Sequence, residues 1–245
     1  MWVTYPNLGH DYPLKYSGEN RSSYNWHMNQ QEIIQKTAGY IKQDFSDDSS
    51  GHDWWHIYRV WKNAITICEH EKGDPFIVQL AALLHDLDDW KFNDSGDEIP
   101  RRAKAWLDSF PLDPSITEAV CRIIQHISFK GAAVANKMDS LEGFIVQDAD
   151  RLDAIGAIGI ARAFAYGGYK KRPLHDPETS PQMHDTFEQY KNSNSSTINH
   201  FYEKLLLLKD MMNTSIAKRM AEQRHAYMEQ FLHQFMAEWE GKDVE

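Results

Sequence analysis

Two cysteines in 245 residues, with no CxxC spacing between them, are too few for a disulfide scaffold. Cys68 and Cys121 each sit inside an apolar segment and read as core thiols of a reduced compartment. No apolar run approaches the roughly 20 residues that cross a bilayer, and the N-terminus lacks the apolar core of a signal peptide. A cytoplasmic location is therefore the expectation. Positive charge is also short: 26 basic against 36 acidic side chains leave a formal charge of −10. That argues against a nucleic-acid polymer or a membrane as partner, because both need a positive surface. A small anionic substrate, which responds only to local charge, is not excluded. Repeats and βαβ alternation are missing as well. With 42% apolar and 25% charged residues, the chain has an ordinary globular composition.

What is present is helical period. Residues 1–27 are polar, aromatic and punctuated by Gly and Pro, and are read as a leader or extension outside the core; residues 28–245 form the domain. Asn29 to Phe45 carries Ile33, Ile34, Thr37, Tyr40 and Ile41 at three-four spacing. Gly51 to Glu71 is a second helix, closed by Gly73, and Pro75 opens a third that runs to about Asp88. Glu98 to Phe110 and Ser115 to Ile127 follow, and then Glu142 to Tyr166 as one long apolar helix. Gly167 to Asp185 reads as a surface loop. Thr197 to Asn213 and Thr214 to Trp239 make two final helices. The expectation is an all-α, single-domain helical bundle. Leu205 to Leu208 pack on the core or on a second chain, which leaves a homodimer open.

Three stretches carry polar groups where a core-filling helix would not. In "HDWWHIYRVWKN", His52, His56, Arg59 and Asn63 fall on one stripe. A surface face would carry Lys and Glu there, so the stripe suggests an inward-facing polar site; a solvated face is the plain alternative. "LAALLHDLDDW" ends an apolar run in His85-Asp86, and burying such groups is costly unless they are paired or bind metal. Imidazole nitrogen beside carboxylate oxygen suits Mn, Fe, Co, Ni or Zn. Asp88 and Asp89 stand three residues beyond His85 and Asp86, where they could orient ligands or act as general base. Carboxylates at a helix C-terminus face the unfavourable end of its dipole, so a simple helix-to-loop transition explains them poorly. "QDADRLDAIGAIG" places Asp148, Asp150 and Asp153 in six residues of an apolar helix. Asp150, Ala154, Ala157 and Ala161 share a stripe, but spacing does not choose among the three aspartates. One of them as a partner of Arg151 or Arg162 is expected.

In this order, the three segments resemble the signatures of the HD superfamily of metal-dependent phosphohydrolases. "HDWWHIYRV" is similar to the first-histidine signature, with a His-x-x-Arg-Val core at His56 to Val60, "LLHDLDDWKF" to the central His-Asp signature and "QDADRLDAIGAIG" to the terminal aspartate signature. The resemblance implies His56, His85, Asp86 and Asp150 as metal ligands around one divalent ion. Among subfamilies the likeness is greatest to small bacterial HD nucleoside triphosphate pyrophosphohydrolases, which implies manganese and a nucleotide substrate, with Mg, Co, Ni, Fe or Zn as other candidates. On that basis Asp89, or Asp88 beside it, is the base, while Arg59, Lys91 and Lys130 balance a polyphosphate. His126, in "RIIQHISFKG", is a substrate contact, a supporting group or an extra ligand. With one such extra histidine, a mononuclear site is expected. His52 is expected to support the site or the helix start, and the remaining histidines are incidental. Trp54, Trp55 and Trp90 are candidates to stack on a base. A nucleotidase, a cyclic-nucleotide phosphodiesterase, a metal-bound sensor with little turnover and a di-iron oxygenase are the alternatives.

Overall fold

The computed structural model describes residues 29–45, 53–88, 100–127, 138–182 and 195–244. The leader reading of residues 1–27, and the expectations for His52, Asp89, Trp90, Lys91 and Lys130, lie outside them. Among the described residues the structure is helical with no strand. The helices are α1 (Gln30–Asp44), α2 (Trp54–Glu71), α3 (Pro75–Leu84), α4 (Arg101–Asp108), α5 (Pro114–Ile127), α6 (Leu141–Asp153), α7 (Gly156–Tyr169), α8 (Thr197–Glu203) and α9 (Ser215–Trp239), with a 3-10 helix at Leu205–Met211. None is long and apolar enough to cross a membrane.

The starts of the helices are written in their caps. Asn29 accepts from the Glu32 backbone while Glu32 reaches back to the Asn29 N–H, a reciprocal box that fixes the first turn of α1. Asp53 accepts the His56 N–H at 2.9 Å, so α2 begins at Trp54 rather than Gly51. Asp74 caps α3 through the Phe76 and Ile77 N–H groups, and Pro75 takes the first position. Helix α3 is the axis of the bundle: Leu80, Leu83 and Leu84 are fully enclosed, and α1, α2, α5 and α6 pack around it. A helix apolar all round belongs inside. Helices α2 and α6 lie most extensively against each other, and α9 closes over α7, α6 and α2.

Four further boundaries differ from expectation. The left-handed residue that ends α2 is Lys72 (φ 63°), not Gly73; Gly73 instead allows close approach, since a Cβ there would stand 2.8 Å from Ile145 Cδ1. Helix α3 stops at Leu84, and His85 to Asp88 form a turn. The 25-residue helix expected from Glu142 to Tyr166 is two helices, broken at Ala154–Ile155. Ile155 is extended and buried, and Gly156 takes φ +76°, a conformation that disfavours side chains. In a straight helix Asp153 and Arg162 would stand about 13 Å apart along the axis; the break lets the Arg162 guanidinium fold back onto Asp153. Finally, the segment expected as one helix from Thr197 splits into α8 and the 3-10 helix. Three residues per turn align Leu205 with Leu208, and both are buried in this chain's own core.

Candidate metal centre

Each of the three polar segments delivers its groups from a fixed element. Helix α2 presents His56 from its first turn, held by the Asp53 cap. The turn after α3 presents His85 and Asp86, and the last turn of α6 presents Asp150. Ligating atoms of His56, His85 and Asp86 all lie within 4.8 Å of one another. His56 Nε2 stands 3.4 Å from Asp86 Oδ2 and 3.5 Å from Asp150 Oδ1, and His85 Nε2 stands 3.5 Å from Asp86 Oδ2. Around an ion with bonds of about 2.1 Å, neighbouring ligand atoms stand about 3.0 Å apart in an octahedron and about 3.4 Å in a tetrahedron. The spacing therefore fits a shared divalent ion.

Protonation sharpens the fit. His85 Nδ1 lies 2.8 Å from the Ala82 carbonyl oxygen, which only accepts, so Nδ1 carries the hydrogen and donates. Nε2 is then a lone pair in the neutral ring. It is buried and, among the described residues, has no hydrogen-bond partner. A buried acceptor of this kind is costly to leave unmatched, and a bound cation resolves it. The two rings meet edge-to-face with centroids 5.4 Å apart. Exposure rises across the group: the side chains of His56 and His85 are 2% exposed, Asp86 11% and Asp150 37%. Approach to the centre is from the Asp150 side.

Behind His56 lies a second layer. Its Nδ1 sits 2.7 Å from Asp153 Oδ2. Asp153 also receives Arg59 through Nε (2.6 Å) and Nη2 (3.0 Å) and Arg162 through Nη1 (2.7 Å). Burial works against the Asp153 charge, yet the hydrogen bonds from His56 and Arg59 hold it well below the usual carboxylate range. For His56 burial opposes the cation, but hydrogen bonds to Asp153 and Asp86 outweigh it and push the imidazole up to about 9. Carboxylates on both sides of the ring thus attract positive charge to this spot.

The polar stripe of α2 is inward-facing, as expected. His56 and Arg59 meet Asp153; Asn63 donates to the Ala149 carbonyl at 3.4 Å and accepts from Arg224 at 3.2 Å. The three aspartates separate by partner. Asp150 stands 3.5 Å from His56 Nε2, at the edge of the closer group of His56, His85 and Asp86. Asp153 is the partner of Arg59 and Arg162, while Arg151 stands 3.8 Å from Asp148. Asp148 is fully buried and accepts from the Asn213 and Thr214 N–H groups, the Asn213 amide and the Thr214 hydroxyl, fastening the chain just before α9.

Two of the expected groups have structural partners. Both oxygens of Asp88 accept N–H groups at the start of α4, from Arg102 at 3.0 Å and Ala103 at 2.8 Å. Arg59 gives Nε and Nη2 to Asp153. His126 lies in the last turn of α5, half-buried, with Nδ1 donating to the Arg122 carbonyl at 2.9 Å. It is outside the group of ligating atoms. Trp55 is exposed beside His56, and Trp54 is half-buried. Arg224, which holds the Leu152 carbonyl at the end of α6, had no signal in the sequence beyond being an arginine in a helix with apolar neighbours.

Comparison with known proteins agrees with this geometry. The HD domain family model matches residues 54–155. The YpgQ protein of Bacillus subtilis is 40% identical over 219 residues, covering 89% of this chain and 99% of YpgQ. Among solved structures, an HD-superfamily hydrolase from Bacillus thuringiensis is 45% identical, with TM-score 0.70 over 86% of this chain and 99% of that one. A structure of YpgQ in complex with ADP is 38% identical, with TM-score 0.66 over 84% of this chain and 97% of that one.

Proposed function

The chain belongs to the HD superfamily of metal-dependent phosphohydrolases, and from that premise we propose that it hydrolyses nucleoside triphosphates to the monophosphate and diphosphate with a divalent ion, manganese first among candidates. The observation that carries the metal reading is His85 Nε2, a buried lone pair without a hydrogen-bond partner among the described residues, facing His56 and Asp86. His56, His85, Asp86 and Asp150 would hold the ion. Two nitrogens and two hard oxygens favour Mn, Fe, Co, Ni or Zn over calcium. When bound, such an ion acidifies an attacking water and neutralises charge that develops on a phosphoryl group.

The chain's own groups divide the remaining work by depth. His56 and His85 close the floor of the site and exclude water from it. Asp150 stands at the rim, so the phosphate chain of a substrate approaches past it. Asp89 is offered as the base, and Lys91 and Lys130 as polyphosphate contacts, from the sequence alone. Lysines near the mouth would matter in a chain of charge −10, where an anionic substrate otherwise meets repulsion. One observation supports a nucleotide over other phosphoesters: the relative YpgQ is seen with ADP.

The test is incubation of the purified chain with Mn²⁺ and each common NTP and dNTP, separating diphosphate from phosphate release. Diphosphate is the expected product, and Asp86→Ala is expected to lower the rate at least about a thousandfold, as loss of a group essential to the site does. Release of single phosphates, or opening of cyclic nucleotides, would move the proposal to a nucleotidase or phosphodiesterase on the same residues. Nucleotide binding without turnover across Mn²⁺, Co²⁺, Ni²⁺, Mg²⁺ and Zn²⁺ would overturn it in favour of a sensor.

A further inference from the structure

We propose that Asp153 is a positioning residue of the centre: it fixes His56 as an Nε2 donor to the ion, and Arg59 and Arg162 keep it able to do so. The inference rests on the metal site proposed above and concerns what lies behind it. Neutral imidazole carries one N–H, so whichever acceptor binds one nitrogen decides that the other is the ligand. For His85 that acceptor is a backbone carbonyl at 2.8 Å. For His56 it is a side chain, Asp153 Oδ2 at 2.7 Å, on the ring edge opposite Asp86 and Asp150.

Asp153 itself is 2% exposed and faces His56 Nδ1, on the far side of the ring from the candidate ligands. Arg59 holds the Asp153 carboxylate with two hydrogen bonds from α2, and Arg162 with one from α7, so that Oδ2 is fixed against His56 Nδ1. Arg162 reaches it only because the chain breaks between α6 and α7, where Gly156 adopts φ +76°. The break that hides from a helical period is thus part of the support for a ligand. A carboxylate–imidazole–metal arrangement orients the ring and raises its donor strength, and loss of such a partner typically costs 10–100-fold in metal affinity.

The experiment measures cation binding without substrate. Co²⁺ is titrated into metal-free wild type and Asp153→Asn, following its visible absorption, and the histidine nitrogens of the Zn²⁺-loaded proteins are observed by ¹⁵N NMR, with His56→Gln to assign the signal. The expected result is 10–100-fold weaker Co²⁺ binding in Asp153→Asn, a changed His56 nitrogen pattern, and unaltered His85 signals, which a general loosening of the fold would not spare. Equal Co²⁺ affinity in the two proteins would overturn the inference while leaving the metal site intact. No Co²⁺ binding by wild type would remove the site itself, and this role with it. If Asp153→Asn does not fold, wild type decides alone: Nδ1 protonated and Nε2 coordinated supports the role, and Nδ1 coordinated overturns it.

Discussion

Two histidines of this chain titrate in opposite senses, and together they predict the pH profile of the metal-free protein. His56 is held at about 9, burial being outweighed by its carboxylate neighbours. The folded state therefore keeps a proton that the unfolded state has lost above 6.5, so this contribution is complete below 6.5 and disappears as pH rises to 9. His200 is pushed down to about 3, first by desolvation and then by Lys204 and Arg172. Here the unfolded state takes a proton that the folded state refuses, and stability is lost as pH falls from 6.5 toward 3. Each group changes the unfolding free energy by up to about 1.4 kcal/mol per pH unit. In EDTA the stability maximum is expected near pH 6.5, measured by urea unfolding. Replacing His200 by Gln should flatten the acid side only, and saturating Zn²⁺, which competes with the His56 proton, the alkaline side only. The residues themselves were legible to different depths. His56, His85 and Asp86 stood out because polar groups interrupt apolar helices, whereas Asp150 was singled out only by the family resemblance. Among Asp148, Asp150 and Asp153 the sequence left the choice open, since helical spacing says which way a side chain faces and nothing about what stands opposite. The partners of Arg59 and Asp88 were hidden for the same reason: Asp153 and the start of α4 are 94 and 14 to 15 residues distant.

Among the helices, the starts of α1 and α3 were read to within a residue, that of α2 three residues early, and the break after α6 was not read at all. Caps are local: Asn29, Asp53 and Asp74 each sit one residue before the helix they begin. The break after α6 is not local, because Ala154, Ile155 and Gly156 are compatible with a continuous helix until tertiary contacts draw Ile155 into the core and Arg162 onto Asp153. The long C-terminal helix α9 shows the same dependence. Its own N-cap, Thr214, makes no capping bond with its side chain. The terminus is served from elsewhere, by Glu71 of α2, which accepts the Ile216 N–H at 2.9 Å, and by Asp148 of α6. Asp148 is two residues before Asp150, so the anchor of α9 and the rim of the metal centre share one helical turn. Replacing Asp148 by Ala leaves the N–H groups of Asn213 and Thr214 without their acceptor in a buried place. The expected loss is about 2–4 kcal/mol in urea unfolding, and hydrogen exchange should show α9 losing protection before α3.

For the molecule as a whole, what the sequence made plain was an all-helical domain with one polar centre, and what it concealed was how three distant segments are brought to that centre. Packing answers that. Helix α3 is apolar on every side and buries itself first among equals, α2 and α6 pack together beside it, and the polar ends of all three then meet in one place. The centre is costly in isolation, with a His85 lone pair buried unmatched and the carboxylates of Asp86 and Asp150 close together around His56. Cation binding should therefore stabilise the entire fold and not a loop. A ligand present at 100 times its dissociation constant adds about 2.7 kcal/mol, which for a domain of this size corresponds to about 5–10 °C in Tm. Calorimetry of the full chain with and without Mn²⁺ should show a rise of that order, increasing with concentration. Asp86→Ala should lose the rise. In EDTA its own Tm should fall as well, because Asp86 is one of the two carboxylates that hold the His56 proton. A Tm of the wild type that ignores Mn²⁺, Co²⁺ and Zn²⁺ alike would mean that the three helix ends meet for some purpose other than holding an ion.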